Sequence, residues 1–197
     1  MQWIVQLNEN FKQFPKALRV FLKRCFILFI AFQCYFLTIE SDSRLLNAPL
    51  TNNVAIHASD ILNFFSSNKV FSYKPKVKYV LQDDIIEINF GSTIYYRNKA
   101  ILYIADACNG LELLALYLGF ILVLPEGIKR KTSYAILGTI FIYFMNVFRC
   151  IGLILLQINS SKHFDFAHHY LFKVIVYSSI LVLWYFYMQK ITLKHAE

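Results

Sequence analysis

The chain has no C-x-x-C pair, so its 4 cysteines do not supply the two-thiol centre of a quinone-linked disulfide oxidoreductase. It has no internal repeat and no low-complexity stretch. Charge is scarce, at 16% of residues against about 25% in soluble domains. What replaces it is apolar: 57% of residues are hydrophobic, which excludes an ordinary soluble domain. Behind the first apolar run, Glu40-Ser41-Asp42-Ser43-Arg44 offers no A-x-A-like cleavage site, so an uncleaved anchor is expected rather than a signal peptide.

The charge that is present is mostly positive, 20 Lys and Arg against 12 Asp and Glu, for a net +8. The basic residues stand beside apolar segments instead of along one face, which makes them topology determinants and argues against a nucleic-acid partner. Aromatic content is 17%, with 19 Phe and 13 Tyr, as suits lipid-facing helices and interfacial belts.

Four apolar segments stand out: Leu18 to Ile39, Cys108 to Leu124, Ser133 to Ile158, and His169 to Met188. Each is expected to cross about 30 Å of hydrocarbon, the second only with help from its flanks. Lys12, Lys16, Arg19, Lys23 and Arg24 precede the first, Lys129-Arg130-Lys131 lies between the second and third, and Lys190 and Lys194 follow the last. By the positive-inside rule these are cytoplasmic, giving an N-in, C-in chain. The long segment between the first two spans, and the short loop Asn159 to Ala167, are then outside.

The fold class that follows is mainly α: a polytopic membrane protein with about four transmembrane helices and a small extracytoplasmic α/β or β-meander insertion. Its parts are residues 1–39 (cytoplasmic N-terminus and first anchor), 40–105 (extracytoplasmic module), 106–190 (three-helix membrane core) and 191–197 (cytoplasmic tail). Within the module, Val54 to Ser66 has helical spacing and is expected along the membrane surface. Lys76–Leu81, Asp84–Phe90, Ser92–Arg97 and Lys99–Ile104 read as short strands, punctuated by Pro75, Gln82-Asp83 and Gly91.

Three reactive side chains now come to one height. Cys108 and Arg149 each lie 16 residues from the cytoplasmic end of their spans, about 24 Å at the helical rise; His168 opens the last span, about 30 Å up. A thiol in the first turn of a helix meets the positive end of its dipole, which favours the thiolate. Taken alone, Cys108 reads first as a small buried apolar residue. Asn109-x-x-Glu112 reads either as a capping-box variant or as a site where Glu112 pairs with Arg149. Arg149, costly within a span, either snorkels to headgroups or stabilises an anion, with Asn146 one turn below to hold it. Cys25 and Cys34 read as packing, and Cys150, about 100° round the helix from Arg149, is expected to face elsewhere. His163, His168 and His169 crowd one loop, but their spacing matches no zinc template, and no metal or cofactor is expected.

The ordered blocks Asp106-Ala107-Cys108-Asn109-Gly110-Leu111-Glu112, Asn146-Val147-Phe148-Arg149 and His168-His169-Tyr170-Leu171-Phe172 resemble the exosortase/archaeosortase family, in its short, exosortase X-like branch. The resemblance covers the chain from Ala105 onward. It implies a cysteine transpeptidase of the cytoplasmic (inner) membrane, with its active site at the extracytoplasmic face. Such an enzyme cleaves C-terminal sorting signals (a short motif, a hydrophobic helix and a basic tail) from exported proteins and passes them to an acceptor. By the same resemblance Cys108 is the nucleophile, Arg149 the charge stabiliser and His168 the general base and acid. His169 is second choice for the last role, and Asn109, Asn146 and Glu112 are supporting residues. Longer family members have more spans than the four expected here. Two other classes remain: a non-enzymatic subunit of an export or assembly complex, with Arg149 and Glu112 as intramembrane glue, and a membrane protease that hydrolyses without transfer.

Overall fold

Basic residues in its first three turns followed by an unbroken apolar run make α1 (Lys16–Tyr35), which continues through a π-helical turn, Phe36–Glu40. In the computed structural model, the residues described are 16–40, 43–66, 70–82, 85–124, 126–159 and 161–194. The expected N-terminal segment with Lys12, the turn at Asp83 and the last residues of the tail lie outside them.

Helix α2 (Asn47–Phe65) begins two turns before the expected Val54, because its first turns are polar and carry no apolar periodicity. Three strands follow, β1 (Phe71–Gln82), β2 (Ile85–Tyr96) and β3 (Lys99–Ala105), in an antiparallel sheet of order β1-β2-β3. Of the four expected strand-like runs, the two in the middle are one strand. Gly91 does not interrupt β2, since it pairs with both Lys76 and Ala105, and Pro75 sits within β1 opposite Ser92. The β2–β3 turn places Arg97 and Asn98 at φ 47° and 64°, as a two-residue hairpin of matching twist requires.

After a 3₁₀ turn at Asp106–Cys108 the chain forms α3 (Leu111–Val123), then α4 (Ile128–Asn159). A second 3₁₀ turn (Ser161–His163), one helical turn (Phe164–Phe166) and a π-helical turn (Ala167–Leu171) lead into α5 (Phe172–Lys194). Among the described residues, three helical stretches are long and apolar enough to cross a membrane: Leu18–Glu40, Ile128–Asn159 and Phe164–Gln189. The expected second span, Cys108 to Leu124, is helical over 13 residues, Leu111–Val123, about 20 Å at the helical rise. Gly110, at φ 90°, breaks it from Cys108, and Leu124 is extended at ψ 140° ahead of the proline that follows in sequence.

Two apolar cores are stacked along α4. One joins Tyr117, Ile121 and Leu124 to Ile142, Ile180 and Tyr187. The other joins Val54, Ala55, Ala58 and Leu62 of α2 to Ile94, Leu102 and Ile104 of the sheet and to Val147, Cys150, Leu153 and Ile154 of α4. At 32 residues, α4 is roughly 48 Å long, well beyond a 30 Å bilayer core, so it serves both. The sheet is pinned to α2 by side chains: the Asn63 amide exchanges two 2.9 Å hydrogen bonds with the backbone of Phe71, and Ser92 donates to Asn52 Oδ1 at 2.6 Å. His57 Nδ1 and the Tyr143 hydroxyl, 2.6 Å apart, join α2 to α4.

At the far end of the lower core, basic side chains satisfy helix carbonyls. Arg24 donates to Val123 O (3.3 Å), Lys131 to Leu122 O (2.9 Å) and Arg130 to Tyr187 O. Arg130 also pairs with Glu126 at 3.3 Å. The Leu122 and Val123 carbonyls lie in the last turn of α3, where a helix leaves carbonyls orphaned and cations meet the negative end of the dipole.

Ala55 and Ala58 are fully buried where α2 meets α4 and the sheet. Ala58→Leu should overpack this contact and cost about 1–3 kcal/mol, read as a lowered melting temperature in detergent. Phe64→Ser, at a side chain 83% exposed, should leave melting within the error of measurement.

Candidate active site

The site is built around the break between β3 and α3. Leu102 and Ile104 of β3 are buried in the upper core against α4, so the chain arrives at Asp106 already fixed.

Asp106 is held on both oxygens. Arg44 Nε donates to Oδ2 at 2.7 Å, its terminal nitrogen lies 2.7 Å from the same atom, and the Thr51 hydroxyl donates to Oδ1 at 2.7 Å. Arg44 also lies over the Phe90 ring, 4.3 Å from its centroid. Burial pushes the nearby Tyr103 phenol above its usual range; the Asp106 carboxylate adds to this and the Arg44 guanidinium opposes it.

Cys108, half-buried, ends the 3₁₀ turn three residues ahead of α3. The expectation of a thiol in the helix's first turn is therefore corrected. Asn109, 2% exposed, takes the structural work instead. Its Oδ1 accepts from Leu111 N at 2.8 Å, and its Nδ2 donates to Asn47 Oδ1 (2.7 Å) and Thr51 Oγ1 (3.0 Å). Its carbonyl accepts from Asn146 Nδ2 at 2.6 Å, and that amide also reaches the Cys108 carbonyl at 3.4 Å. Gly110 makes this approach feasible: a Cβ there would lie 3.3 Å from the Asn146 amide, at a φ of 90° that side chains disfavour.

Arg149 and Cys150 follow Asn146 by three and four residues, one turn along α4. Arg149 Nε is buried with no hydrogen-bond partner. Cys150 is 4% exposed and packs in the upper core with Val147 and Leu153. His168 lies in the π-helical turn, its ring stacked on Phe164 at 5.8 Å and edge-on to His169 at 4.9 Å. A Cβ on Gly152 would overlap the Phe172 ring, so this segment lies flush on α4. The charged neighbours of His168 are Arg149, His169, Lys173 and Asp165.

The structure thus brings Asn146 against the Cys108 and Asn109 carbonyls, with Arg149 one turn further along α4 and within electrostatic reach of His168. It does not bring in Glu112, which is exposed and makes no ion pair among the described residues. Neither reading of Asn109-x-x-Glu112 survives, because Asn109 caps Leu111 rather than the residue a capping box requires. No hydrogen bond joins Cys108 to His168 among the described residues. No group of three or more His, Cys, Asp or Glu residues there is arranged to hold a metal.

Sequence reasoning missed Glu40, Arg44, Asn47 and Thr51. Glu40, 2% exposed, accepts from Leu46 N at 3.1 Å and Asn47 N at 2.6 Å and so anchors the start of α2. The available signal was the i, i+4 spacing of Asn47 and Thr51, which puts two polar side chains on one helix face.

These features define a membrane protein with a polar layer at the start of α3, between its two apolar cores. A model of the transmembrane exosortase family (Exosortase_EpsH) matches residues 15–186, and the chain belongs to that family. No curated protein and no solved structure matches it.

Gly110→Ala should strain the turn by about 1–2 kcal/mol and crowd Asn146, lowering the melting temperature in detergent. Gly119→Ala, whose added Cβ meets nothing within 4 Å, is the control and should not lower it.

Proposed function

We propose that the protein is a membrane cysteine transpeptidase that cleaves C-terminal sorting signals of exported proteins and transfers them to an acceptor. The observation that carries this reading is the approach of Asn146 to the Cys108 carbonyl, with Arg149 one turn on along α4 and within electrostatic reach of His168. A buried guanidinium nitrogen without a partner, as Arg149 Nε is, is costly unless an acceptor comes to it.

In this reading the Cys108 thiol gives its proton to His168, and the thiolate attacks the scissile carbonyl carbon. Arg149 stabilises the oxyanion of the tetrahedral intermediate. His168 returns the proton to the leaving amine, whose C–N bond breaks to leave an acyl-thioester. The acceptor nucleophile, deprotonated by His168, then attacks the thioester and releases Cys108. The helix α3 acts as a fourth, short crossing that ends in the Cys108 turn. The basic ends of α1, α4 and α5 face the cytoplasm, and the site faces the extracytoplasmic side of the inner membrane.

The test is processing in cells of a precursor bearing a hydrophobic C-terminal helix and basic tail. Cys108→Ala should abolish it, and Arg149→Lys should lower it by about 100-fold or more. His168→Ala should lower it by about 100-fold, and His169→Ala and Glu112→Gln by far less. Intact processing in Cys108→Ala would sink the proposal and favour an assembly subunit. Mass spectrometry of the product distinguishes a conjugated C-terminus, the transfer product, from a free acid, the hydrolytic one.

A further inference from the structure

Between β3 and α3 a single 3₁₀ turn is the chain's only regular structure, yet this stretch carries Cys108. What holds it comes from a different part of the sequence, the segment that links α1 to α2 and the first turns of α2. Arg44 and Thr51 grip Asp106, two residues before the cysteine, through three contacts of 2.7 Å. Asn47 and Thr51 grip Asn109, the residue after it, at 2.7 and 3.0 Å. Arg44 itself is held at φ 49°, a left-handed conformation that a non-glycine residue adopts only under constraint. Its carbonyl accepts from Ala48 N and its amide donates to Glu40 O, so the strained residue is tied at both ends.

We propose that Arg44 and Asp106, supported by Thr51, are positioning residues for the nucleophile: they hold Cys108 within the layer of Arg149 and His168. This rests on the reading of Cys108 as the nucleophile. The pair does not touch the reacting atoms. It fixes one side of the cysteine's turn, while Asn146 fixes the other from α4. Arg44 and the first turns of α2 on this account support the active site without entering it.

The test uses the full chain in detergent, with iodoacetamide as probe and mass spectrometry to read alkylation at Cys108, Cys34 serving as the reference thiol. Asp106→Asn and Arg44→Ala should each lower the Cys108 rate at least fivefold while Cys34 is unchanged. The double variant should lose no more than either alone, as expected of residues acting as one unit. Arg44→Lys, which keeps a cation for Asp106, should recover at least half of the lost rate. If a variant melts early, Thr51→Val removes a single contact to Asp106 and should still lower the rate about twofold. A Cys108 rate unchanged or raised in the folded variants overturns the proposal, including when only the melting temperature falls. His168→Ala separates the two claims: if it leaves Cys108 alkylation unchanged, the proton-transfer role fails, while the Asp106→Asn result still decides the positioning.

Discussion

Where a chain leaves regular structure among apolar side chains, each amide and carbonyl it exposes needs a partner. From Asp106 to Gly110 the protein meets this demand with side chains, chiefly those of Asn109 and Asn146. Asn109 uses its carbonyl, its amide nitrogen and its amide oxygen, each in a hydrogen bond. Asn146 sits between Ile142 of one core and Val147 of the other, so the same residue marks the boundary between them. Without this polar seam the helix α3 would have no defined start, and Cys108 no defined place.

The two cores on either side of the seam are stabilised differently. In lipid, helices gain little from burying apolar surface against each other, so the lower core depends on close packing and on the basic residues that satisfy its helix ends. The upper core, built from α2, the sheet and the far half of α4, packs a sheet against two helices. The length of α4 couples them: a helix rigid over both cores transmits the position of Asn146 to Arg149 and Cys150.

Part of this was legible from residue patterns. The apolar runs of α1, α4 and α5 announced themselves because a span must be long and nearly uncharged. Cys108, Arg149 and His168 drew notice because reactive groups are rare in such runs. The first turns of α2 were not legible, since Asn47 and Thr51 interrupt any apolar period. Nor was the continuity of β2 through Gly91, which a turn-forming residue obscured until both its neighbours in the sheet were known. Glu112 misled for a local reason: four residues separate it from Cys108, but Gly110 breaks the helix that would have stacked them.

Sequence by itself determined that this is a membrane protein, which segments are apolar, and which reactive side chains those segments carry, because each follows from composition and spacing along one stretch of chain. Only the tertiary structure decided that Arg44, Asn47 and Thr51 belong with Cys108. Those residues are some sixty positions away, and hydrogen bonds at that separation depend on how α2 crosses α4, which no local pattern encodes.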